Sequence, residues 1–284
     1  MRTVWLNGEW LPENAAHVSI FDRGLLFGQG VYEVSPVLDG RFCNWTHHAA
    51  RLERSKSAAR ISDDTDWPAV LAELIARNGL VEGRIYLQIT AGAPADRDFL
   101  SPIPPAAPTR FAFTQAAALV GNPKAETGLK VILRPDLRWQ MRSAKTVQLL
   151  YAVLVKEQAR EAGVDDVWMI EEGPNGKVVT EASSSNAHII DAKGALVSHP
   201  VDHGVLPGVT RISVLEIARE LGLASEERPF TPAELFAAQE AFVSAAGSLV
   251  LPVVEVDGRA IGTGQPGLVT REIRARYIKQ LRAV

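Results

Sequence analysis

Three short segments hold the residues best suited to chemistry: one contains Lys145, one begins at Glu181 and one turns at Gly208. In this order they offer an amine, a carboxylate among small polar residues, and a glycine turn that opens a predicted helix. Together such groups could hold an aldehyde that also carries a phosphate and a ring nitrogen. Each segment alone has a simpler interpretation, because solvated lysines, polar caps and Pro-Gly turns are common.

Lys145 is the candidate nucleophile. A lysine amine forms a Schiff base with a carbonyl when its surroundings favour the neutral amine. Arg138 and Arg142 precede it, and their charges would lower its pKa if they fold close to it. The pattern that follows predicts a helix over 147–163, so the simpler interpretation is a solvated lysine at the start of a helix.

Glu181 is the candidate partner of a ring nitrogen. It is followed by three serines, the last of which is Ser185, and by Asn186, all of which can supply hydrogen bonds in a tight site. A carboxylate that keeps a pyridine nitrogen protonated makes the ring a better electron sink. The alternative is a loop or a helix cap, where Thr, Glu and Ser are frequent.

The segment 206–210, Leu-Pro-Gly-Val-Thr, leads into a predicted helix over 210–222. Backbone N–H groups at a helix N-terminus bind phosphate, and Gly208 permits close approach. Val209 and Thr210 are therefore candidates for phosphate contact, and Arg51 could add a bidentate contact. The alternatives are an ordinary capped turn and a surface arginine.

Composition narrows the function classes. With 46% apolar and 22% charged residues, the chain is predicted to fold as a globular protein of two domains, 1–117 and 118–284. A net charge of −3 gives no basic footprint for nucleic acid or an anionic membrane. The single cysteine, Cys43, excludes an internal disulfide, and without a signal-like N-terminus it predicts a cytoplasmic protein.

The pattern of elements predicts mixed sheets with segregated helices in two lobes, an α+β or α/β fold. Asn7-Gly8 predicts a hairpin turn, and 83–90 predicts a strand. No Gly-x-Gly-x-x-Gly follows a strand, so a dinucleotide site is unsupported, and no Gly-x-Ser-x-Gly elbow indicates a serine hydrolase. The six histidines lack metal-ligand spacing, so no metal is expected.

The ordered motifs resemble those of class IV (fold type IV) pyridoxal-phosphate aminotransferases over nearly the whole chain. They comprise 21–24, Phe-Asp-Arg-Gly; 27–33, Phe-Gly-Gln-Gly-Val-Tyr-Glu; His48 to Leu52; Lys145; 179–186; 206–211; and 241–252. The resemblance implies a small N-terminal and a larger C-terminal domain, with pyridoxal 5'-phosphate as cofactor. It further implies that Lys145 is the Schiff-base lysine, that Glu181 contacts the pyridine nitrogen, and that Arg51, Val209 and Thr210 bind the phosphate.

The resemblance also implies partners: a small-molecule amino donor, a 2-oxo acid acceptor, and a second copy of the chain in a homodimer. Family members place a threonine against the phosphate where this chain has Ala246. The missing hydroxyl leaves backbone N–H groups, at Ala246 or Gly247, for any phosphate contact there.

Within the family, the run 31–34, Val-Tyr-Glu-Val, is closest to D-amino acid aminotransferases and implies substrate contacts from Tyr32 and Val34. Those enzymes clamp the substrate carboxylate with an Arg-x-His pair, where this chain has Asp96 and Asp98 flanking Arg97. Two carboxylates would repel a carboxylate substrate. The hypothesis is that Arg97 binds it after a one-residue shift; the alternative is that Arg97 pairs with one of the aspartates.

The predicted activity is transfer of an amino group from a D-amino acid such as D-alanine to a 2-oxo acid such as 2-oxoglutarate. An (R)-selective amine transaminase is the first alternative, because a site without a firm carboxylate clamp could accept plain amines. A branched-chain L-amino acid transaminase and an aminodeoxychorismate lyase follow. A cofactor-binding protein with little activity is disfavoured by the intact Lys145 and Glu181.

Overall fold

A computed structural model describes residues 1–173, 176–201 and 204–283. The chain forms two compact units: Met1–Ala118 with Ala144–Gln148, and Leu119–Ser143 with Leu149–Val284. The segment that contains Lys145 thus belongs to the first unit, although the chain has by then already begun the second. No helix among the described residues is both long and apolar enough to cross a membrane. The division into functional domains at 117/118 stays a prediction.

The first unit is built on a six-stranded antiparallel sheet with the strand order β2-β1-β6-β5-β3-β4. Its strands are β1 (Thr3–Leu6), β2 (Glu9–Pro12), β3 (Gly30–Leu38), β4 (Arg41–Phe42), β5 (Gly83–Thr90) and β6 (Arg110–Ala116). Its helices are α1 (Arg23–Phe27), α2 (Trp45–Ala59) and α3 (Trp67–Asn78), with a short 3-10 turn at Glu13–Ala15. The predicted hairpin is confirmed, with Asn7 and Gly8 at φ 50° and 99° between β1 and β2.

Alternation along β3 separates a core face from an open face. Val31 and Val37 are fully buried and pack with Leu52 of α2 and Leu71 and Leu74 of α3. Burial of each such side chain contributes about 1.5–3 kcal/mol to stability. Because successive strand residues point to opposite faces, Tyr32 and Val34 lie on the other side of the sheet.

The second unit is built on a nine-stranded mixed sheet, ordered β12-β11-β10-β13-β14-β7-β8-β9, with β15 paired to β14. Its strands are β7 (Leu129–Pro135), β8 (Asp166–Gly173), β9 (Gly176–Ala182), β10 (Asn186–Ile190), β11 (Leu196–Ser198), β12 (Ser225–Glu227), β13 (Glu240–Ala245), β14 (Leu249–Val256) and β15 (Arg259–Ala260). Its helices are α4 (Lys124–Thr127), α5 (Leu150–Glu161), α6 (Val209–Glu220), α7 (Pro232–Ala237) and α8 (Leu268–Ala283).

The core of the second unit holds the chain around Glu181 in place. Trp168 and Phe230 are fully buried and pack edge to face with ring centroids 6.3 Å apart. Val179 and Ala182 of β9, which flank Glu181, belong to the same apolar cluster. The backbone that presents Glu181 is therefore fixed by the core.

One local prediction is wrong. The helix expected over 147–163 begins only at Leu150, and residues 147–149 are not helical. Thr146 forms an isolated antiparallel bridge with Val31, and the N–H of Val147 donates to the carbonyl of Gly30 at 3.0 Å. The backbone groups of this segment form hydrogen bonds with β3. The helical spacing of its side chains had predicted that they would form the first turn of the helix.

Candidate active site

Lys145 is held by its backbone against the sheet of the first unit. Its N–H donates to Oγ of Ser55 at 3.0 Å, and its carbonyl accepts from the N–H of Tyr32 at 3.1 Å. The half-buried side chain places Nζ 4.1 Å from the centroid of the Tyr32 ring. The backbone of Lys145 is thus anchored, and an aromatic ring lies next to its amine. A solvated lysine at the start of a helix would have neither.

A buried charge cluster lies on α2 and β3. Arg51 donates through Nε and Nη2 to the two carboxylate oxygens of Glu33, each at 2.7 Å, and Nδ1 of His48 is 2.8 Å from the same carboxylate. Burial raises the pKa of Glu33, but the charge and hydrogen bonds of Arg51 outweigh it and bring the pKa to about 2. Burial lowers the pKa of His48, and the Lys145 ammonium adds to this. Arg51 is therefore a fixed cation and no surface arginine.

The open face of the first sheet is aromatic. Tyr32 stacks on Tyr86 of β5 with centroids 5.4 Å apart, and Tyr86 stacks on Phe113 of β6 at 4.8 Å. Val34 lies opposite Tyr86 in the strand register, so the two residues predicted to contact substrate share this face with it. Burial raises the pKa of Tyr86, which keeps its phenol neutral. Tyr86 is not among the residues predicted from the sequence, although the alternation of the strand 83–90 places it on this face.

Arg97 is exposed, and its guanidinium lies against two aromatic rings that contact each other. Its guanidinium carbon is 4.9 Å from the ring centroid of Phe27 and 5.0 Å from that of Phe99. Asp96 and Asp98 accept from backbone N–H groups, those of Arg97 and Leu100, at 2.7 and 2.9 Å. Over the part of the chain that the structure describes, Arg97 forms no ion pair with either aspartate, so the pairing alternative is not seen. Carboxylate binding by Arg97 stays a prediction.

The loop that carries Arg97 is tied down by the buried Arg23. Nη1 of Arg23 donates to the carbonyl of Asp98 at 2.6 Å, and Nη2 donates to that of Phe99 at 3.0 Å. These charge-assisted contacts fix a loop whose own side chains are exposed.

Glu181 lies at the centre of a network in the second unit. Nη1 of Arg138 pairs with Oε1 of Glu181, while Nε and Nη2 of Arg138 bind the Asp136 carboxylate at 2.9 and 2.6 Å. Oε2 of Glu181 accepts from Nδ2 of Asn186 at 3.0 Å and from the N–H of Leu206 at 3.3 Å. Burial raises the pKa of Glu181, and Arg138 opposes this rise. Glu181 lies in strand β9, so the alternative interpretation, a loop or a helix cap, is wrong.

Asn186 links Glu181 to the turn before α6. Its Nδ2 also donates to the carbonyl of Leu206 at 2.9 Å. A Cβ on Gly208 would lie 1.9 Å from Oδ1 of Asn186, so only glycine fits at this position. Ser185 is half-buried, and its carbonyl accepts from the N–H of Ala182 at 2.8 Å, which closes the turn between β9 and β10.

The first turn of α6 is suited to bind an anion. Gly208 is its N-cap in an extended conformation without a side-chain cap, so the backbone alone presents the N–H groups of Val209 and Thr210. Oγ1 of Thr210 contacts Oη of Tyr277 on α8 at 3.2 Å and ties this turn to the core.

Strand register brings a second turn to the same end of the sheet. Asn186 pairs with Ser244, so the turn at Ala246 and Gly247, which follows β13, lies beside the Asn186–Gly208 contact. Both turn residues are half-buried. Glu181, Asn186, the start of α6 and this turn are thus brought together, which their separation in sequence did not guarantee.

Asp136 and Arg138 are two further residues whose place near Glu181 sequence reasoning missed. Arg138 was considered only as a neighbour of Lys145, and Asp136 not at all. They are two residues apart after strand β7, a spacing that lets both side chains point the same way. Only the fold shows that Arg138 binds both Asp136 and Glu181.

Comparisons with known proteins identify the family of this chain. Residues 30–256 match the model of the amino-transferase class IV family. A D-alanine aminotransferase of Bacillus licheniformis is 34% identical over 95% of this chain and 94% of its own length. A D-alanine aminotransferase of Staphylococcus epidermidis is 34% identical over 100% of this chain and 99% of its own.

Solved structures share the fold. A branched-chain amino acid aminotransferase of Escherichia coli superposes with a TM-score of 0.87 at 24% identity, covering 99% of this chain and 94% of its own. A branched-chain amino acid aminotransferase of Thermoproteus uzoniensis, solved with norvaline, gives 0.84 at 25% identity, covering 98% and 94%. Another enzyme of the same name, solved with pyridoxamine 5'-phosphate, gives 0.85 at 24% identity, covering 98% and 93%. These confirm the predicted mixed α and β architecture of fold type IV. The chain belongs to the class IV aminotransferases, enzymes that use pyridoxal 5'-phosphate.

Proposed function

We propose that this enzyme is a D-amino acid transaminase that moves the amino group of a donor such as D-alanine to a 2-oxo acid such as 2-oxoglutarate. The observation that carries the proposal is the 34% identity with D-alanine aminotransferases over essentially the full length of both chains. The run 31–34, Val-Tyr-Glu-Val, supports it from within the first unit.

The residues present fit pyridoxal phosphate. Val209 and Thr210 at the uncapped start of α6, and the backbone of Ala246 and Gly247, would hold the phosphate. Arg51, held in place by its bidentate contact with the buried Glu33, would add a guanidinium donor. Glu181 would face the ring nitrogen, with Ser185 and Asn186 beside it.

When bound, the cofactor supplies an aldehyde carbon that accepts the amino group and a ring that withdraws electrons. Nζ of Lys145 is the proposed base that removes the proton from the donor's α-carbon and later returns one. The Tyr32 ring beneath Nζ limits where the amine can lie, and Tyr32 and Val34 would contact the donor. Glu181 stabilises a proton on the ring nitrogen through its negative charge.

A second candidate is an (R)-selective amine transaminase. The observation in its favour is the position of Arg97, which stacks on Phe27 and Phe99 between two aspartates. A donor without a carboxylate would avoid the repulsion from those aspartates. The similarity to branched-chain enzymes, at 24% identity, concerns the fold alone, and a lyase acting on aminodeoxychorismate remains an outcome of the test.

We further propose that the enzyme is a cytoplasmic homodimer. The exposed apolar side chains of the segment 18–25 support a partner surface: Ile20 is 71% exposed and Leu25 is 64% exposed. A lone, buried cysteine suits a reducing compartment.

One panel of substrates tests the proposed function. The purified enzyme with cofactor is offered D-alanine, L-leucine, (R)-1-phenylethylamine or aminodeoxychorismate, with 2-oxoglutarate or pyruvate as acceptor, and the products are separated by chiral chromatography. We expect turnover of D-alanine and its loss in Lys145→Ala, while Lys193→Ala, at an exposed turn lysine, keeps it. Turnover of L-leucine without D-alanine contradicts the proposal, and turnover of the amine alone establishes the second candidate.

A further inference from the structure

Asp136 and Arg138, which are not among the proposed cofactor contacts, form a chain of ion pairs that ends at Glu181. The side chain of Asp136 is 0% exposed and that of Arg138 is 15% exposed, so their ion pair is shielded from water. Charges in such surroundings interact more strongly than at the surface. The pair therefore acts on Glu181 with little screening.

The geometry divides the two oxygens of Glu181 between different partners. Oε1 pairs with Arg138, and Oε2 accepts from Asn186 and from the backbone of Leu206. The carboxylate is thus held at both oxygens by donors, an arrangement that stabilises the ionised form and fixes its orientation.

Arg138 is itself oriented by Asp136. Two parallel hydrogen bonds fix the guanidinium plane, and Oγ1 of Thr180 donates to the same carboxylate at 2.7 Å. Nη1 of Arg142 lies 3.3 Å from Asp136 and 2.8 Å from Glu171, and so places a second cation beside Asp136. The side chain of Arg138 cannot turn away from Glu181 without breaking the bidentate contact.

We propose that Arg138 and Asp136 are positioning residues with opposite electrostatic effects: Arg138 holds Glu181 ionised for its contact with the ring nitrogen of the cofactor, and Asp136 orients Arg138. Arg138 favours the carboxylate, whereas the negative charge of Asp136 tempers this effect and keeps Glu181 basic enough to stabilise a proton on the ring. The inference rests on the proposed role of Glu181. Burial raises the pKa of Glu181 above its usual value; Arg138 opposes this rise, and the negative charge of Asp136 adds to it.

The test measures Glu181 itself in the full chain, freed of cofactor. The protein is labelled with [δ-13C]glutamate, the Glu181 signal is assigned with Glu181→Gln, and its titration is followed by NMR. We expect Arg138→Met to raise the midpoint by about 1–3 pH units, because the buried carboxylate loses its cation. Asp136→Asn, which is isosteric, is expected to lower it. Arg134→Met, on β7 without a contact to Glu181, is the matched control and leaves it unchanged.

The two opposite shifts separate an electrostatic role from a merely structural one. Arg138→Lys restores the charge and is expected to bring the midpoint back toward that of the wild type. If Arg138→Met does not fold, the downward shift in Asp136→Asn decides. No shift, or shifts of the same sign, overturns the proposal.

The reconstituted enzyme then connects the titration to catalysis. In Arg138→Met, kcat for D-alanine is expected to fall about tenfold for each unit by which the midpoint exceeds the assay pH, and the acidic limb of its pH profile is expected to move upward. Unchanged pH profiles with shifted titrations contradict a role in the reaction. Absence of D-alanine turnover in the wild type refutes the proposed function but leaves the titration result standing.

Discussion

At the scale of single residues, Arg97 is the proposed ligand of the substrate carboxylate. Its guanidinium is oriented by two rings instead of a carboxylate, so its charge is not neutralised by Asp96 or Asp98 in the described residues. A cation over aromatic faces remains able to bind an anion.

We therefore predict that Arg97→Ala raises KM for D-alanine about tenfold or more, since an ionic hydrogen bond contributes about 1.5–3 kcal/mol. Turnover of (R)-1-phenylethylamine, if present, is expected to change little. Arg60→Ala, at an exposed helix end, serves as the control. An unchanged KM for D-alanine excludes Arg97 as the carboxylate ligand.

His188 gives a pH dependence of stability. It is fully buried, its Nε2 contacts Oγ of Ser244 at 2.8 Å, and Nδ1 has no partner among the described residues. Burial lowers the pKa of His188 from 6.5 to about 3, and Arg211 adds to this. Between pH 6.5 and about 3, His188 therefore binds a proton in the unfolded chain but not in the folded chain.

The sign follows from linkage: the free energy of unfolding is highest above pH 6.5 and falls as the pH decreases toward about 3. We predict a loss on the order of a few kcal/mol from this group, which His188→Gln reduces. Urea unfolding at several pH values measures it, with His17→Gln, at an exposed site, as the control. Equal slopes in the wild type and His188→Gln would contradict this account.

At the scale of elements, the start of α6 depends on close approach between backbone and side chain. Gly208 leaves no space for a Cβ against Oδ1 of Asn186, which in turn binds Glu181. A displacement of this turn would disturb both the proposed phosphate site and the carboxylate.

We predict that Gly208→Ala destabilises the fold by about 1–3 kcal/mol through overpacking and weakens cofactor binding. Thermal unfolding and a fluorescence titration with pyridoxal phosphate measure the two effects. Gly121→Ala, where a Cβ meets nothing within 4 Å, is the control. Wild-type affinity in Gly208→Ala would rule out this turn as part of the phosphate site.

At the scale of the whole molecule, the proposed dimer requires an apolar surface whose exposure to water in the monomer costs free energy. The apolar segment 18–25 offers one in the first unit, with Val18, Ile20 and Leu25 well exposed. Isolated exposed apolar residues are common, but several in one short segment indicate a contact.

We predict that sedimentation velocity gives twice the mass of the single chain and that Ile20→Lys with Leu25→Glu lowers the association constant by about tenfold or more. Val81→Lys, at an equally exposed apolar site on another surface loop, is expected to leave it unchanged. A monomeric wild type at micromolar concentration would refute the dimer.

The sequence by itself determined the local features and the chemical groups. Turn chemistry at Asn7-Gly8 predicted the first hairpin, and alternation predicted the strand of 83–90, because both follow from contacts between near neighbours in the chain. Lys145, Glu181 and the Gly208 turn were identifiable because their types and order match a family.

Only the tertiary structure decided how these groups are held. Residues 145–147 pair with β3 instead of leading into a helix, Arg97 lies against the contacting rings of Phe27 and Phe99, and Arg138 binds both Asp136 and Glu181. Each of these arrangements includes a contact between residues distant in sequence. Those of residues 145–147 and of Arg138 are fixed by burial and by the need to pair polar groups away from water. Local propensity contains no information on which distant partner will satisfy that need.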